Sequence, residues 1–230
     1  MRLVYRSFAC LAAALFSLAA ANATAPTLKD VLNRMDAAAA NFHAMSADIS
    51  KTQHTAVLND NSTDTGSVKM IKTGKSVTAL MDIAKPDPKA YEYEGRKVRI
   101  YYPNMKQVDV YDVGKSGEQL AGQFFTLGFG TSGKDLEKNY NIQLVGPETL
   151  SGQNTTHLAL TPKAGEAQKV IKQVDLWLSD VNYPVQEKVL EPSGDYLLFV
   201  YKNVQINPSL TAQDVKLKLP NGVKPNNVNK

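Results

Sequence analysis

A chain of 230 residues, 43% of them hydrophobic, is long enough to bury an ordinary hydrophobic core. The formal net charge is only +4, and the lysines are scattered without a basic stripe that alternates with aromatic residues, which argues against nucleic acid as a partner. The single cysteine excludes an intrachain disulfide, so the fold must rest on its core.

Residues 1–23 have the pattern of a cleavable secretory signal. Arg2 and Arg6 give a positive start, the apolar run FACLAAALFSLAA is too short to span a bilayer, and Ala-Asn-Ala at 21–23 is a small-x-small cleavage site. We therefore expect removal of residues 1–23 and a mature protein that starts at Thr24.

The mature chain is expected to be a monomeric periplasmic protein with one domain over residues 24–230. Cys10 lies inside the apolar run of the signal and is lost with it. No other segment has about 18 unbroken apolar residues, the length needed for a membrane-spanning helix.

The first predicted element is an amphipathic helix in TLKDVLNRMDAAAANFHAM, residues 27–45. Thr27 is a suitable N-cap and follows Pro26. Apolar residues recur at helical spacing, namely Leu28, Val31, Leu32, Met35, Ala38, Ala39, Phe42 and Met45. A helix with such a stripe must lie on an apolar surface.

Strands are predicted through most of the remaining chain. GSVKMIKTGKSVTALMDI predicts a hairpin around Gly74, and RKVRIYYPNMKQVDVYDV predicts another around Pro103 and Asn104. Further strands are predicted at 45–57, 139–145, 155–162, 169–179, 184–191, 195–206 and 214–219. Ten or eleven strands with short turns and few helices predict a mainly β protein built on one large antiparallel sheet that curls on itself.

Residues 116–138 interrupt the strand pattern. The segment GQFFTLGFGTSGKDL contains Phe124, Phe125, Leu127 and Phe129 between several glycines, and the pattern predicts a short helix. Burying one such side chain contributes roughly 1.5–3 kcal/mol, so the four must cover something. Two readings are open: a movable lid over the open side of the sheet, or a helix packed permanently in the core.

The chain offers no recognisable catalytic motif or metal site. Its three histidines are scattered at 43, 54 and 157, and neither H-E-x-x-H nor G-x-S-x-G occurs. TGKS at 73–76 resembles the end of a phosphate loop, but Lys69 occupies the position of the first glycine. We expect no enzymatic activity, no cofactor and no metal.

Several segments, taken in order, resemble the LolA-type outer-membrane lipoprotein carriers. They are NFHAMSADISKTQ after the first helix, the aromatic strand EGRKVRIYYPNMKQV, the apolar insertion, then YNIQL, LALTPK and the terminal LKLPNGVKPNN. The resemblance covers nearly the whole mature chain, and no single piece of it is diagnostic.

The resemblance implies a half-open, incomplete antiparallel barrel closed by helices, of the fold that LolA and LolB share. Its apolar interior would take the acyl chains of lipoproteins released by an inner-membrane transporter and deliver them to an outer-membrane receptor. In this reading the phenylalanines form a lid that moves aside. The alternative is a sensor or shuttle of the same fold with a different lipid or lipoprotein as cargo.

One position departs from the family pattern. The family carries an inward-pointing arginine on an early barrel strand, which holds the lid by hydrogen bonds, and Lys72 stands at the corresponding position here. Lysine keeps the charge but lacks the planar fork of donors. The other reading of Lys72 is an exposed lysine in a hairpin.

The resemblance also implies which residues contact lipid. We expect Met70, Ile100 and Leu176 to do so from the strands, together with the lid residues Phe124, Phe125, Leu127 and Phe129. Apart from Lys72, the inward strand positions that can be assigned are expected to be apolar.

Overall fold

A computed structural model describes residues 26–74, 76–163 and 165–228 of the chain. The predicted signal at 1–23, with Cys10, and the predicted mature start at Thr24 lie outside these residues. Within the described ranges, no helix is both long enough and apolar enough to cross a membrane.

The described residues form one sheet of twelve strands. In chain order they are β1 (Ala44–Thr55), β2 (Asp60–Thr73), β3 (Ser76–Lys85), β4 (Lys89–Glu94), β5 (Lys97–Tyr102), β6 (Gln107–Asp112), β7 (Tyr140–Leu150), β8 (Gln153–Pro162), β9 (Gln173–Ser179), β10 (Pro184–Leu190), β11 (Tyr196–Ile206) and β12 (Pro225–Asn227). Their order across the sheet is β12-β6-β5-β4-β3-β2-β1-β11-β10-β9-β8-β7. The predicted mainly β, incomplete antiparallel sheet is confirmed, because β12 and β7 are edges that do not pair with each other.

Two of the predicted strands were partly or wholly wrong. The strand predicted at 169–179 starts only at Gln173, because residues 166–170 form a short helix. The segment 214–219 is not a strand, since the N–H of Leu217 donates to the Glu92 carboxylate at 2.8 Å instead of joining a ladder. The structure adds β4 and β12, which brings the count to twelve rather than ten or eleven.

Both edges of the sheet are short or irregular. At one edge, β7 contains Pro147, and its register with β8 shifts between Leu144 and Gly146. At the other edge, β12 has three residues, begins with Pro225, and is the one strand of the described sheet that pairs parallel to its neighbour, β6.

Helix α1 (Leu28–Ala40) begins with a capping box. The Thr27 hydroxyl accepts from the Asp30 N–H, and the Asp30 carboxylate accepts from the Thr27 N–H. The helix ends before Phe42 and Met45, which the periodicity assigned to its stripe, although both are buried in the core. The other helices are α2 (Gly114–Thr126), α3 (Gly133–Asn139) and α4 (Glu166–Val170), with short 3-10 turns at Pro103–Met105 and Ala212–Val215.

Helices α1, α2 and α3 cover one face of the sheet, which we call the inner face, in two parts. The first core cluster joins α1 and α3 to β7–β10, and its largest buried members include Met35, Leu136, Leu158, Leu160, Leu176 and Leu178. The second core cluster joins α2 and the loop after it to β1–β4, and includes Phe42, Met45, Ile49, Met70, Ile83, Tyr93 and Phe129. The four residues of the predicted lid are divided between the clusters, with Leu127 and Phe124 at the first and Phe125 and Phe129 at the second.

The segment 212–218, which lies between β11 and β12, crosses the opposite, outer face. Val215 is buried there, and the carboxylate of Glu92, itself 1% exposed, accepts from Leu217 and pairs with Arg99 and Lys216. This segment leaves the inner face free for the helices.

Candidate functional site

A small cavity lies between α2 and the inner face of the sheet. The strands β1 to β3 contribute Met45, Ile49, Val68, Met70 and Met81, and β11 contributes Phe199 and Tyr201. The helix and the loop after it contribute Phe124, Phe125 and Phe129. Apart from the Tyr201 hydroxyl, every side chain in this lining is apolar.

The cavity is nearly filled in this conformation. Its volume of about 20 Å³ is close to the minimum that holds one water molecule. The side chains of α2 and of the loop after it fill most of the space, so no ligand larger than a water molecule fits beside them in this conformation.

Aromatic contacts hold α2 and the following loop against the sheet. The ring of Phe125 stacks on Tyr93 with centroids 5.2 Å apart, and Phe124 meets Phe199 edge-on at 5.4 Å. Phe129 meets Tyr201 edge-on at 5.0 Å. These ring contacts bury apolar surface of α2 and of the loop against the sheet, with the stacked and edge-to-face geometries that aromatic pairs prefer.

Two hydrogen bonds join the sheet to α2 and the loop after it, residues 114–132, which we call the α2 segment. The ammonium group of Lys72 donates to the carbonyl of Gly130 at 2.7 Å, and the Tyr93 hydroxyl donates to the carbonyl of Glu118 at 2.8 Å. Burial and the nearby Glu118 carboxylate raise the pKa of Tyr93, so its hydroxyl remains a donor at neutral pH. Both acceptors are backbone carbonyls, so the bonds fix the position of the segment without depending on its side chains.

The loop after α2 requires glycine at two positions. Gly128 has φ +73° and a Cβ atom there would overlap the Pro184 ring. Gly130 has φ +131° and a Cβ atom there would overlap the Phe42 ring. These two glycines thus permit the close packing of the loop against Pro184 and Phe42.

Helix α2 has little stability of its own. Gly117 and Gly122 lie inside the helix, where glycine costs about 1 kcal/mol relative to alanine. Val113, at the N-cap, supplies no side-chain cap. The helix is therefore held mainly by its contacts with the sheet.

The structure places the residues singled out from the sequence in three different settings. Met70, Phe124, Phe125 and Phe129 meet at the cavity. Leu127 and Leu176 are buried in the first core cluster, beside the cavity rather than in its lining. Ile100 lies on the inner face opposite Tyr91 and Asp109, but it is half-buried and belongs to neither the cavity lining nor the two clusters.

The expectation that only Lys72 breaks the apolar inner face was wrong. Glu187 on β10 is also directed inward and is 1% exposed, between Leu176 of β9 and Phe199 of β11. Burial raises its pKa to about 8. The sequence contained a signal, because Val185 and Val189 share the face of Glu187 by the two-residue period of a strand.

A wider groove of about 570 Å³ opens beside α2, on the side of α3. Lys72, Tyr93 and Gly130, which hold the α2 segment, also line this groove, with Lys115 and Lys138 at its rim. The α2 segment therefore separates the apolar cavity from a mixed polar opening. Among the described residues, no group of three or more histidine, aspartate or glutamate side chains is arranged to hold a metal ion.

Comparisons with known proteins agree with this architecture. A lipoprotein carrier protein of the outer membrane from Dechloromonas aromatica (strain RCB) is 26% identical over 157 residues, which are 68% of this chain and 68% of that protein. The crystal structure of MucB superposes with a TM-score of 0.51 and 14% identity over 83% of this chain. An uncharacterized conserved protein from Thermus thermophilus superposes with a TM-score of 0.53 and 10% identity, over 86% of this chain and 98% of that one.

These structural likenesses concern the fold alone, and this chain spans 62% of the length of the MucB chain. The family comparison is more specific, since residues 40–218 match the model described as "Outer membrane lipoprotein carrier protein LolA". The match covers well over half of the chain and confirms the resemblance seen in the sequence. The chain belongs to the LolA family of outer membrane lipoprotein carrier proteins.

Proposed function

We propose that this protein is a periplasmic carrier without enzymatic activity, which binds the acyl chains of lipoproteins beneath α2 and moves them from the inner to the outer membrane. The observation that carries the proposal is an apolar cavity of about 20 Å³ closed by a helix of low intrinsic stability. The α2 segment acts as the lid: it leaves when cargo binds, and the acyl chains take its place.

The lining of the cavity suits a cargo that must be bound and then released. Met45, Met70 and Met81 are unbranched side chains that adapt to ligands of irregular shape. Each buried methylene contributes about 0.8 kcal/mol, so an acyl chain does not cross water unaided. When the phenylalanines of the lid return, they restore contacts that the cargo had replaced, which lowers the net cost of release.

The proposal assigns roles to the residues predicted from the sequence. Phe124, Phe125, Phe129 and Met70 contact acyl chains directly. Leu127 moves with the lid and thereby uncovers Leu176, and Ile100 meets only a chain that extends toward β5. Lys72 holds the lid closed through Gly130.

The partners follow from the same proposal. Loading needs an inner-membrane transporter that releases lipoproteins, and unloading needs an acceptor at the outer membrane. A sensor or shuttle of the same fold with another lipid cargo remains the alternative, and the identity of the cargo decides between them.

The first test is mass spectrometry of the material that copurifies, without detergent, with residues 24–230 secreted into a bacterial periplasm. Bound triacylated lipoprotein is the expected result. Phospholipid or glycolipid alone would support the alternative. A ligand-free protein that also fails to take up a synthetic triacylated lipopeptide would contradict the carrier.

A second test addresses the lid. Phe125→Asp places a carboxylate against Tyr93, and we expect it to abolish lipopeptide transfer in a reconstituted assay. Val57→Asp is the matched control, because Val57 is 88% exposed in a distant hairpin turn. Equal transfer by the two variants would refute the assignment of α2 as the lid.

A further inference from the structure

Glu187 has one carboxyl oxygen without a partner. Its Oε2 accepts from the Tyr201 hydroxyl at 3.4 Å, whereas its Oε1 is buried and makes no hydrogen bond. Its neighbours on the same face, Leu176, Phe199 and Val189, are apolar. Buried polar atoms in native proteins are nearly always paired, so an unpaired oxygen in the middle of a sheet requires an explanation.

This oxygen lies at the edge of the region that α2 covers. Phe199, the cross-strand neighbour of Glu187, and Tyr201 both line the cavity. The rings of Phe124 and Phe129 cover these two residues, and Gly128 lies over Leu176, the neighbour on the other side. Departure of the α2 segment therefore uncovers Glu187 and Tyr201 together.

The chemistry of the pair selects the kind of group that it can bind. Because burial raises the pKa of Glu187 to about 8, the carboxyl group is mostly protonated at neutral pH. With Oε2 accepting from Tyr201, a proton on Oε1 is a donor that has no acceptor. The group that completes the site is a neutral hydrogen-bond acceptor attached to apolar chains, since an anion or a cation would lose its hydration in these apolar surroundings.

We propose that Glu187, positioned by Tyr201, is a polar anchor that donates a hydrogen bond to the ester carbonyl of a bound acyl lipid. This inference rests on the proposed carrier function and adds a chemical preference to it. Acyl esters carry the required acceptor next to the methylenes that fill the cavity. The anchor therefore makes the protein select ester-linked chains over ether-linked chains of the same length.

The test compares ester and ether lipids that are otherwise matched. One pair is a diacylglyceryl-cysteine lipopeptide and its dialkyl ether analogue; the other is diester and diether phosphatidylglycerol. We expect the wild-type protein to bind the diester about fivefold to tenfold more tightly in at least one pair, the amount that one buried hydrogen bond supplies. The pair that shows the preference identifies the source of the ester.

Three variants test whether the hydrogen bond from Glu187, rather than the apolar surroundings, causes the preference for esters. Glu187→Leu removes the donor, keeps a similar volume among apolar neighbours, and should lose the ester preference while it still binds both lipids. Glu187→Gln can donate from its amide and accept from Tyr201, and should keep the preference. Tyr201→Phe leaves Glu187 unpositioned and should reduce the preference.

The outcomes distinguish this inference from the function on which it rests. If the wild-type protein binds ester and ether lipids equally in both pairs, or if Glu187→Leu keeps the wild-type ratio, the anchor is refuted and the carrier stands. If the wild-type protein binds none of the four lipids, the carrier function itself fails. Circular dichroism of each variant verifies that the sheet is intact.

Discussion

Replacing Glu187 with glutamine isolates the free energy of holding an ionisable group on the inner face. The folded protein raises the pKa of this carboxyl from 4.5 to about 8, chiefly by burial, and the Tyr201 hydrogen bond opposes the shift. The titratable groups that face it are Tyr201 and Tyr140, and burial together with the Glu187 carboxyl raises the pKa of each of them. Neither tyrosine ionises near neutral pH, so between pH 5 and 8 Glu187 titrates alone in this group.

The sign follows from proton binding. Between pH 4.5 and 8 the folded state holds a proton on Glu187 that the unfolded state has released, so the stability of the wild-type protein falls as pH rises. The destabilisation is about 1 kcal/mol at pH 5, about 3 kcal/mol at pH 7, and levels off near 5 kcal/mol above pH 9. Glu187→Gln has a similar shape and no charge, so it lacks this dependence.

The assay is urea unfolding of the two proteins at pH 5, 6, 7, 8 and 9. We expect the stability of Glu187→Gln, relative to that of the wild-type protein, to rise by roughly 2–3 kcal/mol between pH 5 and 7. Glu137→Gln, on an exposed position of α3, controls for the loss of one negative charge. A difference between Glu187→Gln and the wild type that stays constant from pH 5 to 9 would refute the view that Glu187 is buried and protonated.

Three further predictions concern the α2 segment. Lys72→Met removes the hydrogen bond to the Gly130 carbonyl and should speed lipid exchange by roughly tenfold, whereas Lys72→Arg should not. Equal exchange rates for the two variants would contradict the view that Lys72 holds the lid closed. Gly122→Ala should stabilise α2 by about 0.5–1 kcal/mol, because the added Cβ meets only the Tyr93 hydroxyl, at 3.8 Å. The variant should therefore take up lipid more slowly. Unchanged uptake kinetics would count against lid opening as the slow step. In calorimetry, Gly130→Ala should lower the melting temperature more than Gly146→Ala does. Both glycines have positive φ, but of the two only Gly130 lacks space for a Cβ atom. Equal losses would show that the Phe42 contact is unimportant.

The sequence was sufficient for features that depend on local pattern. The grouping of Phe124, Phe125 and Phe129 with Met70 came from the family resemblance. The N-cap at Thr27 and the hairpins around Gly74 and Pro103 follow from periodicity and turn chemistry. These signals lie within a few residues of one another. Reading them in order along the chain was also enough to recognise the family.

The features that were missed depend on residues far apart in the chain. Leu217 leaves the strand pattern because its N–H finds Glu92, 125 residues away, which no local periodicity reports. Ile100 faces the inner side of the sheet, as the alternation of its strand predicts. That alternation does not show how far across the sheet the cavity extends. Glu187 shares a face with Val185 and Val189, yet a carboxylate between apolar residues is ordinarily assigned to solvent, since burying it is costly.

The short and irregular edges of the sheet have a consequence for self-association. An open sheet exposes backbone donors and acceptors at both ends, and such strands can recruit other chains into continuous stacks. Here Pro147 and the register shift interrupt one margin, and the three residues from Pro225 to Asn227 leave the other too short for extended pairing. The open sheet therefore offers other chains little edge to pair with, and lengthening β12 or straightening β7 would expose more of that edge.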